Sequence, residues 1–391
     1  MKPMPNLIPR FNLDYTFKDF CYGVKSAFAS GEFDLSPLKS IFGEKTFLFT
    51  SYGRNSLYVI LKALNLPKGS KVGVPLYSCT VVFDAIVKAG HIPCFVEIDD
   101  NYTVDPHDLK EKIEDLEVVV VIHTFGRPTD MDKIKKIAGD KPVIEDCAHS
   151  LLSEYKGMKT GTLGDASFFS LAKYISVGGG GMVIVNNDGL ADRLQKEMDY
   201  LKKPSVLNNI KHSFIVYMRS LFYHRPWFGL FALPIGLSIE DKVDLMTKRS
   251  FEVASINKND LSLMLKKIVV FKRKVEIQRK NSFFLINELK DTSLRLPYES
   301  KDTYCNYYLF PIRFDSMEER DSVSDYLRNR GVDTSKLYSG TPLKSEQHYG
   351  YKRDCPNTEN IADTILVVPN HYTLGEREIV KIAEHVKGVV K

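Results

Sequence analysis

From about residue 45 to residue 190 the chain alternates short apolar runs with stretches of helical spacing. KTFLFTS (45–51), KVGVPLYS, IPCFVEID, EVVVVIHTF, KPVIEDC, ASFFSL and GGMVIVNN read as strands. Between the early ones, RNSLYVILKAL (54–64), TVVFDAIVKAG, HDLKEKIEDL and MDKIKKIAG read as helices. Strands that are apolar almost throughout, rather than at every second residue, are buried on both faces. This predicts an α/β fold, with a mostly parallel sheet between two layers of helices. Ligands of such sheets sit beyond the carboxyl ends of the strands.

The length of 391 residues suits two domains. The first, 1–255, is an N-terminal arm and the large α/β domain, with an aromatic-rich insertion at about 205–240. The second, 256–391, opens on a long helical pattern. It continues through YYLFPIRF (307–314), MEERDSVSDYLRNRG and REIVKIAEHVKGVV as a smaller C-terminal α/β domain.

A net charge of +5 on a chain this long suits an anionic metabolite and gives no case for nucleic acid. The local run of seven basic residues from Lys266 to Lys280 reads as the solvated face of a long helix. Six cysteines without a CxxC pair fit reduced thiols and no zinc site. The start MKPMPNLIPRFNLDY lacks the apolar core of a signal peptide, so a cytoplasmic location is expected. Phe214 to Leu237 has the length of a membrane span, but Arg219, His224, Arg225, Pro226 and Pro234 interrupt it. Two readings of it stand: a buried dimer-interface or lid segment, or a membrane-surface patch with Trp227 at the headgroups.

The chemistry gathers at strand ends. Asp146 closes the run KPVIED, and Lys173 follows ASFFSL. A buried acid and a lysine so placed are what pyridoxal phosphate (PLP) requires: the lysine holds the aldehyde as a Schiff base, and the acid keeps the pyridine nitrogen protonated. Phe168, Phe169, Leu171, Ala172 and Ile175 give the lysine the apolar setting that favours a neutral amine. His149 is placed to hydrogen-bond or orient the ring. Ser51-Tyr52-Gly53-Arg54-Asn55-Ser56 joins a strand to a helix, where free N–H groups and the helix dipole favour a phosphate. Ser170 adds a hydroxyl. The glycines 178–181 are followed by no Lys-Ser/Thr pair, so they form a tight turn near the cofactor and not a P-loop.

Several blocks in order resemble the DegT/DnrJ/EryC1/StrS group of PLP-dependent sugar aminotransferases, of fold type I. They are SYGRNSL, VPLYSCTVVFDAIVKAGHIPCFVEID, HTFGRPTDMDKI, VIEDCAHS, GTLGDASFFSLAK and GGGGMVIVNND. FPIRF, LRNRGVDTSKLYSGTPL and ILVVPNHYTLGEREIVKI resemble the group's small-domain blocks. The resemblance implies Lys173 as the Schiff-base lysine, Asp146 as the pyridinium partner and His149 at the ring. It implies Gly53, Arg54, Asn55 and Ser170 as the phosphate cradle. Cys79 falls where an aromatic usually stacks on the ring, and Lys344 where the group carries a histidine after Pro-Leu. The glycine run replaces Gly-Glu-Gly-Gly, and Ser170 stands closer to the lysine than is common. Glutamate as donor, a keto-sugar nucleotide as acceptor and a homodimer with shared active sites are implied too. Ser255, Asn257 and Asn259 are the candidates for the residue lent to the partner's phosphate site. Two other readings are a sugar dehydratase of the same group, whose members replace the lysine by histidine, and a non-catalytic membrane-associated sensor.

Overall fold

The computed structural model describes residues 4–29, 31–240 and 250–390. Its main sheet has seven strands: β1 (Thr46–Thr50), β2 (Lys71–Pro75), β3 (Ile92–Val96), β4 (Val118–Ile122), β5 (Val143–Asp146), β6 (Ala166–Ser170) and β7 (Gly181–Val185). Their spatial order is β1-β7-β6-β5-β4-β2-β3. β3, β2, β4, β5 and β6 run parallel, while β7 is antiparallel to both its neighbours. All five residues of β4 are buried, as its run of valines requires. Val118, Val120 and Ile122 enter one core, and Val119 and Val121 enter another on the opposite face. The expected two-faced parallel sheet is therefore present.

Helices α1 (Phe17–Ala27), α2 (Gly53–Ala63), α3 (Thr80–Ala89), α4 (Leu171–Tyr174) and α5 (Val206–Tyr223) belong to the first part of the chain. They are followed by α6 (Lys258–Leu289), α7 (Met317–Asn329) and α8 (Glu376–Lys387). In the smaller unit, β8 (Phe310–Arg313) pairs antiparallel with β9 (Ile365–Val368), and α7 and α8 pack on them.

The two units share α6. Leu261, Met264, Ile268, Phe271 and Val275 enter a core with Tyr15, Leu38, Phe169 and Ile184, while Leu285 and Leu289 enter the core of the smaller unit. The N-terminal arm, grouped by sequence with the large domain, also puts Ile8 into that smaller core. Ile8 bridges Val332, and Arg10 pairs with Asp333 at 2.7 Å.

One sequence expectation needs correction: Lys266 to Lys280 is not a uniformly solvated face. Lys267 and Lys274 turn inward to Asp19 and Asp14, and Arg279 pairs with Glu299, so half-buried carboxylates tie this stretch down. The segment after residue 190 carries helices at Ala191–Asp199, α5 and Leu233–Glu240. Within the aromatic stretch Phe228 and Leu233 pack on Leu7, whereas Phe214, Trp227, Phe231 and Ile235 are exposed. The side chain of Leu237 lies outside the described part. Among the described residues, no helix is long and apolar enough to cross a membrane. The six cysteines are all free thiols.

Candidate active site

Asp146 is the last residue of β5 and Lys173 lies in α4, one turn beyond the end of β6, so adjacent parallel strands deliver both to one edge of the sheet. Asp146, His149, Ser170, Lys173, Gly53, Arg54 and Cys79 line a single cavity. Seven of the eight residues expected at the site therefore converge. The cavity is closed by Ser78, Ala148, Phe168 and Tyr338.

Asp146 is buried, and its Oδ1 accepts the Ala148 N–H at 2.8 Å. Burial pushes its carboxyl up to about 6, against the opposing pull of Lys173 and of that N–H. His149 lies 3.1 Å from Lys173, Nε2 to Nζ. Burial and the lysine charge hold the imidazole well below the ordinary histidine range, so the ring is neutral. Its Nδ1 accepts the Phe125 N–H at 3.3 Å, which places the single ring proton on Nε2. In this arrangement Nε2 faces the Lys173 amine. An amine with an available lone pair is the form that bonds to an aldehyde.

Aromatic rings fix His149. Phe125 and Tyr338 lie nearly parallel to it, at 17° and 3°, and Tyr308 is tilted 5.0 Å away. Tyr338 arrives from the smaller unit. The Tyr77 hydroxyl donates to the Leu337 carbonyl at 2.8 Å, and Thr341 donates to the Ser78 carbonyl at 3.1 Å. These two bonds dock the 337–341 loop over the turn that carries Cys79. Sequence reasoning placed this loop in a family block but gave Tyr338 and Tyr308 no role. Lys344 is not among the cavity-lining residues.

The start of α2 forms the opposite wall. A Cβ on Gly53 would meet the Phe169 carbonyl at 3.2 Å and Ser170 Cβ at 3.3 Å, so only glycine lets the helix start this close to β6. The Arg54 guanidinium lies over Tyr52 and Phe251, and its buried Nε has no partner. Asn55 is the residue the structure does not bring in. Its N–H bonds the Tyr52 carbonyl, and its side chain donates to Ser51 Oγ and the Glu252 carbonyl. It braces the helix start from behind. Gly179 and Gly181 press on the Ser51 and Tyr52 carbonyls, where a Cβ would stand at 2.9 and 2.4 Å. The glycine run thus packs against the same helix start.

Glu145, next to Asp146, points to the other side of β5. It accepts the N–H groups of Gly161, Leu163 and Gly164 and pairs with His123 at 3.0 Å. His123, Glu145 and Cys147 come together as metal ligands could. The Glu145 oxygens are already taken by those donors, and burial raises the Cys147 thiol well above its usual range. The cluster works as a structural knot beneath the site.

A second hollow of about 250 Å3 opens beside Lys173. Phe11, Asn12, Leu13 and Tyr15 of the arm form one wall, Val216, Arg219 and Ser220 of α5 another, and Tyr308 a third.

A buried acid, an amine beside a neutral histidine and a helix start thus meet at one sheet edge. The DegT/DnrJ/EryC1/StrS aminotransferase family model matches residues 36–215 and 256–387, and the chain belongs to that family. It is 27% identical over 346 residues to GDP-perosamine synthase of Escherichia coli O157:H7, covering 86% of this chain and 83% of that one. It is 24% identical over 352 residues to a dTDP-3-amino-3,6-dideoxy-alpha-D-galactopyranose transaminase of Aneurinibacillus thermoaerophilus, covering 88% and 85%. Among solved structures, the fold matches the sugar aminotransferase CalS13 of Micromonospora echinospora with a TM-score of 0.75, at 20% identity, over 98% of this chain and all of that one. It also matches Spr1654 of Streptococcus pneumoniae, designated a sugar aminotransferase and solved in PLP and PMP forms. The PLP form gives a TM-score of 0.77 at 18% identity, over 98% of both chains.

Proposed function

We propose that the chain moves an amino group from an amino acid, glutamate in the first instance, to the carbonyl of a keto-sugar nucleotide. The observation that carries this reading is the convergence of Lys173, Asp146 and His149 with the start of α2 on one cavity. The names of the relatives support the sugar substrate.

The donor set fits PLP. An orphaned guanidinium nitrogen, a glycine-only approach of helix to strand and a buried acid are what the phosphate and ring nitrogen of that cofactor need. When bound, PLP supplies an aldehyde that captures amines and a ring that takes up electrons as a proton leaves. Asp146 would keep the ring nitrogen protonated. The N–H groups of Gly53 and Arg54 and the Ser170 hydroxyl, with the Arg54 side chain, would hold the phosphate. Cys79 and Ala148 would line the ring's place in the cavity. His149 would orient the ring and keep the Lys173 amine aimed into the cavity. Lys173 would serve as the base that takes and returns the proton, for donor and acceptor in turn.

The same proposal includes a homodimer whose copies complete each other's phosphate sites. Asn259 is buried, with its amide on Ser213 and Asn209 of its own chain. Ser255 and Asn257 are the half-buried candidates that remain. The units 1–255 and 256–391 would close over the cavity through the 337–341 loop. The exposed aromatics at 214–235 are assigned to the second copy. The other occupant that suits them is a lipid surface, and co-sedimentation with anionic vesicles separates the two.

The test is mass spectrometry of protein incubated with PLP, glutamate and a panel of keto-sugar nucleotides. Wild type is expected to form an amino-sugar product. Lys173→Ala is expected to lose both the visible absorbance of covalently held PLP and the product. A Lys173→Ala protein that still turned over would overturn the assignment.

A further inference from the structure

The family model matches two stretches and leaves out residues 1–35 and 216–255. Those two omitted segments supply two of the walls of the 250 Å3 hollow beside Lys173: Phe11, Asn12 and Leu13 from one, Val216, Arg219 and Ser220 from the other. They are also stitched together. Ser220 Oγ accepts the Tyr15 N–H and donates to the Leu13 carbonyl.

The basic groups in and around the hollow are unevenly paired. Arg10, Arg225, Lys267 and Lys274 each pair with a carboxylate nearby. Arg219 has no carboxylate partner among the described residues and rests on the Tyr223 ring. Asn12 borders this hollow and two neighbouring ones. One wall thus carries the reacting amine, another an unpaired guanidinium, and the remaining surface is largely apolar. A guanidinium presents a planar fork of N–H groups that matches the oxyanions of phosphates and carboxylates.

We propose that this hollow is an acceptor subsite in which Arg219, with Asn12, holds an oxyanion of the acceptor and so selects it. The idea rests on the aminotransferase reading and adds to it the residue that distinguishes one acceptor from another. The oxyanion has two candidate sources, a nucleoside diphosphate or the carboxylate of an acidic sugar, and the arms of the test separate them.

The experiment is calorimetric titration of PLP-loaded protein with GDP, dTDP or glucuronate, for wild type, Arg219→Gln, Arg219→Lys and Asn12→Ala. At least one probe should bind wild type. Its Kd should weaken by about tenfold or more in Arg219→Gln and by less in Arg219→Lys, as for loss of a charge-assisted hydrogen bond. Asn12→Ala should weaken the same probe. Binding of GDP or dTDP alone identifies a diphosphate, and binding of glucuronate alone identifies a carboxylate. No binding to wild type, or an unchanged Kd in Arg219→Gln protein of wild-type melting temperature, would overturn the proposal. Failure of the underlying reading shows separately: glutamate would then leave the absorbance of the PLP-loaded wild type unchanged.

Discussion

A carboxyl buried at the end of a strand costs stability unless something positive meets it. Asp146 is such a group, with a folded value of about 6 set first by burial. That value lies above the ordinary aspartate range, so the native state holds the proton more tightly than the unfolded chain does. The resulting stability is present below the unfolded value and is lost as pH rises through about 6. A rise from the ordinary aspartate value to this one corresponds to about 3 kcal/mol. Cofactor-free Asp146→Asn protein should therefore be more stable than wild type by roughly 1–3 kcal/mol near pH 8, and this difference should shrink by about 2 kcal/mol near pH 4.5. Urea unfolding at the two pH values checks this. The same variant should lose turnover, because it gives up the charge that meets a protonated ring nitrogen. Asp146 and Lys173 were legible in the sequence because each is a polar residue closing an apolar strand. Tyr338 and Tyr308 were not. They reach His149 from more than 130 residues further along the chain, and only the packing of the 337–341 loop on Tyr77 and Ser78 brings Tyr338 there. The direction of Asn55 was not legible either, since a helix-start pattern does not say which way a side chain turns.

The meeting of α2 with β6 decides how closely a phosphate can be held. Gly53→Ala puts a Cβ 3.2 Å from the Phe169 carbonyl and 3.3 Å from Ser170. Backbone and β-carbon cannot swing aside as a long side chain can, so the helix start must retreat. PLP should bind about tenfold more weakly, for a loss on the scale of one charge-assisted hydrogen bond, while the fold loses only about 1 kcal/mol. Absorbance titration with PLP and a thermal melt read the two effects apart. At this scale β5 shows how alternation sorts two adjacent acids. Neighbours on a strand face opposite ways, so Glu145 and Asp146 cannot share a site. Glu145 knots the 161–164 loop, and Asp146 faces the cavity. Helix α6 shows what charge patterning misses. Its basic stretch read as solvated because the acids that receive Lys267 and Lys274 lie some 250 residues earlier in the chain.

For the whole molecule, the alternating apolar runs were enough to predict the parallel sheet and its two helix layers, because burial on both faces leaves a direct mark on composition. The reach of the arm into the smaller core was hidden, since one isoleucine in a short stretch broken by prolines carries no period. If each site borrows Asn257 from the other copy, Lys173→Ala and Asn257→Ala should each be inactive alone. Mixed and reassembled in equal amounts, they should regain about a quarter of wild-type activity, because half of the random dimers hold one intact site. Steady-state rates of the mixture against the separate variants check this, and no recovery would argue for sites complete within one chain. The 32 residues of α6 bear on how the molecule can be taken apart. A beam fixed in two cores leaves no seam to cut. A fragment ending before residue 256 would expose Tyr15, Leu38 and Phe169, and one starting there would carry a bare apolar stripe. The chain should melt in a single transition, and limited proteolysis should find its first cut outside this helix.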